Sequence, residues 1–250
     1  SLDLEELDGL PKSKVDTYKK FLKARSPLSI DPVFVEPEYL YTYINSIVKY
    51  NINTTTLSSN DIKLLAISSV LAYNDENLDD FKATLRYSRL SEALDNSHPS
   101  NISNETEILA LKYIAPRVGV FQNMKFSFNL PLYNYFPQFA TTHNVSEDKV
   151  VSSSHFIAEN GEICTFEDDG KGVLRLVSVS GDTHNVIKTV GTVNYETGVV
   201  ELTNFKPVNL LGNQIKVYAK PKSSDIYSTT NSILSILEQD INITVEQLKE

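Results

Sequence analysis

The chain has 250 residues, 41 % of them hydrophobic and 22 % charged, with a formal net charge of −9. That length suits one large or two modest domains, and no apolar run approaches the ~18–20 residues of a membrane-spanning helix. The acidic balance argues against a non-specific nucleic-acid binder or a binder of anionic membranes, since both need clustered Lys and Arg. One cysteine, Cys164, allows no internal disulfide and reads as a small buried hydrophobe in a strand, in a reducing cytosol. No signal-peptide pattern is present, and an opening Ser1 in place of Met reads as an excised or processed piece of something longer.

In chain order, residues 1–9 are acidic and leucine-containing, a linker or a short helix. Residues 11–25 carry Val15, Tyr18, Phe21 and Leu22 at helical spacing. Pro11 suits the helix start, and the Lys and Arg residues toward Arg25 suit the C-terminal end of the dipole. Asp31-Pro32 and Glu36-Pro37 bound an extended lead-in, because residues before proline avoid the helical region. The strongest local signal follows at residues 35–50. From Tyr39 onward, Leu40, Thr42, Ile44, Ser46 and Val48 fall on one face and Tyr39, Tyr41 and Tyr43 on the other. Alternation in a β-branched and aromatic run predicts a strand, longer than the usual ~5–6 residues. The tyrosine row suits a contact surface, where an apolar ring keeps a hydroxyl for a partner; it equally suits packing on another layer of the same chain.

A second helix is predicted from Ser58, a good N-cap, with Asp61 three residues on in the manner of a capping box. Ile62, Leu65, Ala66, Ser69, Val70 and Tyr73 form one stripe that Leu64, Ile67 and Leu71 widen, which predicts burial on most sides. A shorter helix is predicted at 88–95 and a second long strand at 105–115. The order helix, strand, helix, helix, strand reads as an α+β fold: an N-terminal α/β sandwich module (α-β-α-α-β) over residues 1–116, followed by an antiparallel β domain. That second domain is expected over 117–222, where seven of the nine glycines fall between Gly161 and Gly212. Turn signals at Asn160-Gly161, Asp169-Gly170, Ser180-Gly181-Asp182 and Glu196-Thr197-Gly198 separate strand-like runs at 173–180, 185–193, 199–203 and 214–220. Residues 130–140 form an aromatic, proline-bounded loop bearing Tyr133, Tyr135, Phe136 and Phe139, more rings than a bare loop usually carries. The tail, 223–250, reads as a hairpin or a helix, and the alternation of Ile241, Ile243 and Val245 favours the β-hairpin.

No catalytic constellation emerges. His98, His143, His155 and His184 are scattered, without metal-ligand spacing, so no metal or other cofactor is expected. Glu167-Asp168-Asp169-Gly170 lacks the alternating ligands of an EF-hand loop and reads as a solvated hairpin turn. Gly170-Lys171-Gly172 has no phosphate-cradling frame, and Ser152-Ser153-Ser154-His155 lacks a nucleophile elbow. An enzyme is therefore not expected.

Several segments together resemble a known family. These are residues 15–25, 36–48 (Glu-Pro-Glu-Tyr-Leu-Tyr-Thr-Tyr-Ile-Asn-Ser-Ile-Val), 56–73 and 81–94 (Phe-Lys-Ala-Thr-Leu-Arg-Tyr-Ser-Arg-Leu-Ser-Glu-Ala-Leu). Residues 191–202 (Gly-Thr-Val-Asn-Tyr-Glu-Thr-Gly-Val-Val-Glu-Leu) and the ending around Asp225-Ile-Tyr, Asn231-Ser-Ile-Leu and Asp240-Ile-Asn-Ile-Thr-Val continue the likeness. They resemble the C-terminal part of the baseplate wedge subunit of T-even-type contractile-tailed phages, gene product six, and more distantly the J-like baseplate proteins. The resemblance implies a structural role in the virion tail baseplate, with assembly in the host cytoplasm. Its implied partners are copies of the chain itself, as a homodimer or larger ring, and other wedge proteins, with no nucleic acid or membrane. Such subunits join neighbouring wedges into a ring that rearranges on host attachment and triggers sheath contraction. On that reading Tyr39, Tyr41, Tyr43, Tyr133, Tyr135, Phe136 and Phe139 are the expected interface residues. The alternative is a carbohydrate-binding or adhesive β module of a phage or bacterial surface protein, its exposed rings stacking on sugars.

Overall fold

The structure, a computed structural model, describes residues 12–25, 38–134, 149–181, 183–229 and 232–249. The chain divides into two units, Ser1–Glu38 and Tyr39–Glu250. In the first, α1 (Lys12–Lys23) forms where the apolar spacing predicts it, with Lys20 and Lys23 in its last turn. Its Tyr18, Phe21 and Leu22 are exposed, and the Arg25 guanidinium lies over the Phe21 ring at 3.8 Å.

The second unit opens with β1 (Glu38–Asn51), in which Leu40, Thr42, Ile44, Ser46, Val48 and Tyr50 are buried and the intervening residues are not. Then comes α2 (Ser59–Asn77), started by a complete capping box: Asp61 N–H donates to Ser58 Oγ, and Ser58 N–H donates to the Asp61 carboxylate. Next are β2 (Thr84–Leu85), α3 (Tyr87–Asp95), β3 (Asn101–Ile114) and β4 (Gln122–Ser127). Past residue 149 the described elements are strands, apart from one 3-10 turn at Glu238–Asp240: β5 (Val151–Ser153), β6 (Phe156–Ile157), β7 (Ile163–Asp168), β8 (Val173–Ser180), β9 (Thr183–Asn194) and β10 (Val199–Phe205). They continue with β11 (Asn209–Leu210), β12 (Ile215–Ala219), β13 (Ile226–Tyr227), β14 (Ser232–Ser235) and β15 (Ile241–Leu248).

The expected N-terminal α/β sandwich followed by a separate antiparallel β domain is overturned. The protein is mostly β, and β1 and β3 belong to a 13-stranded sheet whose main path runs β14-β1-β3-β12-β5-β7-β8-β9-β10-β4. β12 pairs with β3 from Ile215 against Ile114 to Ala219 against Ala110, so strands from both sides of residue 116 share one sheet. The sheet is also mixed, since β15 runs parallel to β1, Ile44 facing Ile241 through Asn51 facing Leu248. Period-two patterning specifies that a segment is a strand and which face is buried, but leaves open which distant edge it pairs with. In the tail, β14 and β15 both pair with β1, lying along it instead of folding on each other as a hairpin.

One continuous core runs through this unit. On the helix-covered side, Ile44 and Val48 of β1 join Ile62, Ala66 and Val70 of α2 and Leu90 and Leu94 of α3, all fully buried. Farther along the sheet Phe156, Phe166 and Phe205 pack with ring centroids 4.8–5.4 Å apart. Cys164 is fully buried in β7. The expectation that α2 is buried on most sides is corrected: Leu64 is 54 % and Leu65 38 % exposed, because one sheet covers only one face of the helix.

Candidate assembly surface

Alternation in β1 turns Tyr39, Tyr41 and Tyr43 to the sheet face opposite the helices, where all three are half-buried. The neighbouring strands bring further rings to the same face. Tyr41 stands opposite Leu111 of β3, and Leu111 stands opposite Tyr218 of β12, so these side chains point the same way. Tyr39 stacks on Tyr41 at 5.8 Å between centroids, Tyr41 meets Tyr113 edge-on at 5.3 Å, and Tyr43 meets Tyr218 at 5.1 Å. Leu111 is fully buried beneath this layer.

A buried carboxylate anchors the layer. Asp240, fully buried just ahead of β15, accepts from Tyr113 Oη at 2.6 Å and from Lys216 Nζ at 2.6 Å. Gln239 Nε2 donates to Tyr113 Oη at 2.9 Å, so the phenol both gives and receives. Burial, then the hydrogen bond and the charge of Asp240, pushes the Tyr113 phenol well above its ordinary value. Burial first, then Tyr43 and Asp240, lifts Tyr218 to about 12, and burial also raises Tyr41 and Tyr43. These phenols stay neutral at any physiological pH, leaving an apolar face dotted with hydroxyls that can donate or accept.

Tyr133 is 38 % exposed at the margin of this face. Its N–H donates to Lys220 O at 2.9 Å, and Lys220 Nζ lies 5.6 Å from its ring centroid and 3.8 Å from Glu107. Lys220 thus links Tyr133 to the face that holds the β1 tyrosines. Tyr135, Phe136 and Phe139 lie outside the described residues. Sequence reading missed Tyr113, Tyr218, Lys216 and Asp240. The first two were visible as alternating positions of predicted strands; Asp240 carried no local signal, its phenolic partner lying 127 residues away.

The acidic turn, His98 and His184 are held in structural hydrogen bonds, while His155 is exposed. Asp168 is 1 % exposed and accepts from the Val150 and Val151 N–H groups at 2.7 Å and from Tyr195 Oη at 2.6 Å. Burial pushes its carboxyl up despite those bonds. Glu167, equally buried, takes Lys149 Nζ at 3.1 Å and His184 Nδ1 at 2.9 Å on one oxygen. Asp169 accepts from the N–H groups of Lys171 and Val173 and from Arg175. His98 Nδ1 accepts from the Ser100 N–H at 3.1 Å, and His143 lies outside the described residues. Among the described residues no group of three His, Cys, Asp or Glu side chains converges as a metal site requires.

The face is a layer of neutral rings, packed on one another and tied to the buried Asp240 carboxylate. Residues 38–112, from the start of β1 into β3, match the family of the baseplate structural protein gp6, C-terminal domain III. No curated protein matches the chain.

Proposed function

We propose that the protein is a baseplate wedge subunit of a contractile phage tail, binding copies of itself and neighbouring wedge proteins so as to join wedges into a ring. In this reading it is assembled in the host cytoplasm, carried in the virion, and takes part in the rearrangement at host attachment that triggers sheath contraction. The observation that carries the proposal is that the partly exposed tyrosines of the family-matched segment, Tyr39, Tyr41 and Tyr43, lie with Tyr113 and Tyr218 on one sheet face. A large aromatic contributes roughly 150–250 Å² when fully buried. These rings are already partly covered, so they supply a fraction of the ~800 Å² that each partner buries in a stable interface, with their neighbours on the face supplying the rest. Tyr133 extends the face at its margin, and Tyr135, Phe136 and Phe139 are proposed as further contacts.

Sedimentation or light scattering of the purified chain over a wide concentration range tests this. The expected mass is that of a dimer or larger. The paired substitutions Tyr41→Glu and Tyr43→Glu, which place charges on the face, are expected to weaken association at least about tenfold, or ~1.4 kcal/mol. A monomer at every concentration, or unchanged association in the folded double variant, removes the proposal.

A further inference from the structure

The two ends and the flank of the large sheet are guarded differently. An exposed strand edge offers a row of unpaired N–H and C=O groups, and proteins blunt it with lysines, bulges, short strands or a covering segment. β4, at the far end, is six residues long, carries Lys125 in an ion pair with Glu201, and meets β10 across a register shift between Leu202 and Phe205. β14 is covered: Asp79 N–H donates to Leu234 O at 2.9 Å, and Phe81 bridges Ile233. Among the described residues β15 has no lysine, bulge or covering strand, while α2 packs against it with Gln247 Nε2 donating to Ser59 Oγ at 2.9 Å. The strand pairs with β1 in one unbroken register over eight residues and contains no lysine or proline. Among the described residues no strand takes its other edge.

The sequence of that edge fits itself. A two-fold axis perpendicular to the sheet pairs two copies antiparallel and keeps their tyrosine faces on the same side, so residues of like parity stand opposite each other. Centred on Thr244, this register sets Thr244 against Thr244, Ile243 against Val245, and Asn242 against Glu246. Threonine pairs and apolar pairs stabilise neighbouring strands, and no like charges meet. Moving the centre one residue toward the N-terminus opposes Asp240 to Glu246; moving it two residues the other way opposes Glu246 to itself. Ile243 is buried and Val245 partly buried against the core, so their pairing extends the helix-covered side, while the exposed Thr244 lies on the tyrosine side.

We propose that β15 is a strand-addition edge, and that its occupant is β15 of a second copy, joined antiparallel about Thr244 into one continuous sheet. The inference rests on the reading that copies of this chain associate, and supplies the contact through which they do so. Tyr43 lies one strand in from this edge, and Asn242 of β15 donates through Nδ2 to Asn45 Oδ1 of β1 at 2.8 Å on the same face, so the junction runs on into the tyrosine layer.

The test uses the full chain with Thr244→Cys. The native Cys164 is fully buried, so the introduced thiol is the one available for coupling. Mild oxidation is expected to yield a disulfide-linked dimer, and Lys171→Cys at an exposed turn is expected to yield none. In parallel, Thr244→Lys, which adds the missing guard on an exposed side chain, is expected to raise the dissociation constant at least tenfold in sedimentation, with the circular-dichroism spectrum unchanged. A chain that associates normally while Thr244→Cys stays uncrosslinked and Thr244→Lys binds as wild type overturns the strand-addition inference and leaves the assembly reading standing. A chain that is monomeric throughout, including one whose own N-terminal segment covers β15, overturns both.

Discussion

Asp240 shows how one residue sets the character of a surface. It is fully buried on the tyrosine side of the sheet, and its two oxygens hold Tyr113 and Lys216 at 2.6 Å each. Removing one member of a buried charged pair typically costs several kcal/mol, mostly through the group left unpaired. Asp240→Ala is expected to cost about 3 kcal/mol, seen as a lower urea midpoint with little change in slope. Tyr113→Phe removes one hydrogen bond to a charged acceptor and is expected to cost roughly 1.5 kcal/mol. Equal, negligible effects would mean that the carboxylate is no anchor. Asp169 makes a different prediction. Burial pushes its carboxyl up, but the N–H groups of Val173 and Lys171 and the Arg175 side chain outweigh this and leave it below the ordinary value. A depressed folded-state value contributes stability that is present above the unfolded value of about 3.9 and lost as pH falls through the folded one. Asp169→Asn is expected to flatten the acid limb of the stability profile below about pH 4; an unchanged limb would refute the assignment.

At the level of elements, capping and close approach decide more than propensity. The Ser58 capping box starts α2, and Ser58→Ala is expected to cost about 1 kcal/mol by thermal unfolding, with Ser58→Gly milder. Gly191 faces Leu202 where β9 meets β10, and a Cβ there would lie 1.9 Å from Glu201 O. Backbone cannot yield as a flexible side chain does, so Gly191→Ala is expected to cost about 2 kcal/mol or more, and a stable variant would show that the strands separate easily. The turn glycines Gly161, Gly170, Gly181 and Gly198 all have positive φ and lie between strands, as their dipeptide signals predict.

For the Tyr39–Glu250 unit as a whole, sheet pairing is the main source of cooperativity. β12 holds β3, β15 holds β1, and the core cluster passes from the helices to the phenylalanine triad without interruption. The unit is therefore expected to unfold in one transition, with far-UV dichroism and tyrosine fluorescence coincident, the latter clean because the chain has no Trp. Two separated transitions would show that the parts before and after residue 116 are independent after all. Pairings spanning more than a hundred residues also imply slow folding, on the millisecond-to-second scale of non-local β topologies.

The sequence by itself determined the local facts: the capped start of α2, the alternation of β1 with its tyrosines on one side, the hairpin turns after residue 160, and the likeness to a baseplate subunit. These are legible because a cap, a period of two and a positive φ are properties of a few neighbouring residues. Tertiary structure alone decided that β12 lies beside β3, that the tail docks along β1, that Leu64 and Leu65 stay partly exposed, and that Asp240 reaches Tyr113. Each of these is a choice of partner among chemically equivalent edges and faces far apart in the chain. Such choices are settled by which arrangement buries the most apolar surface and satisfies the most backbone groups together, a sum over the whole fold that no local window contains.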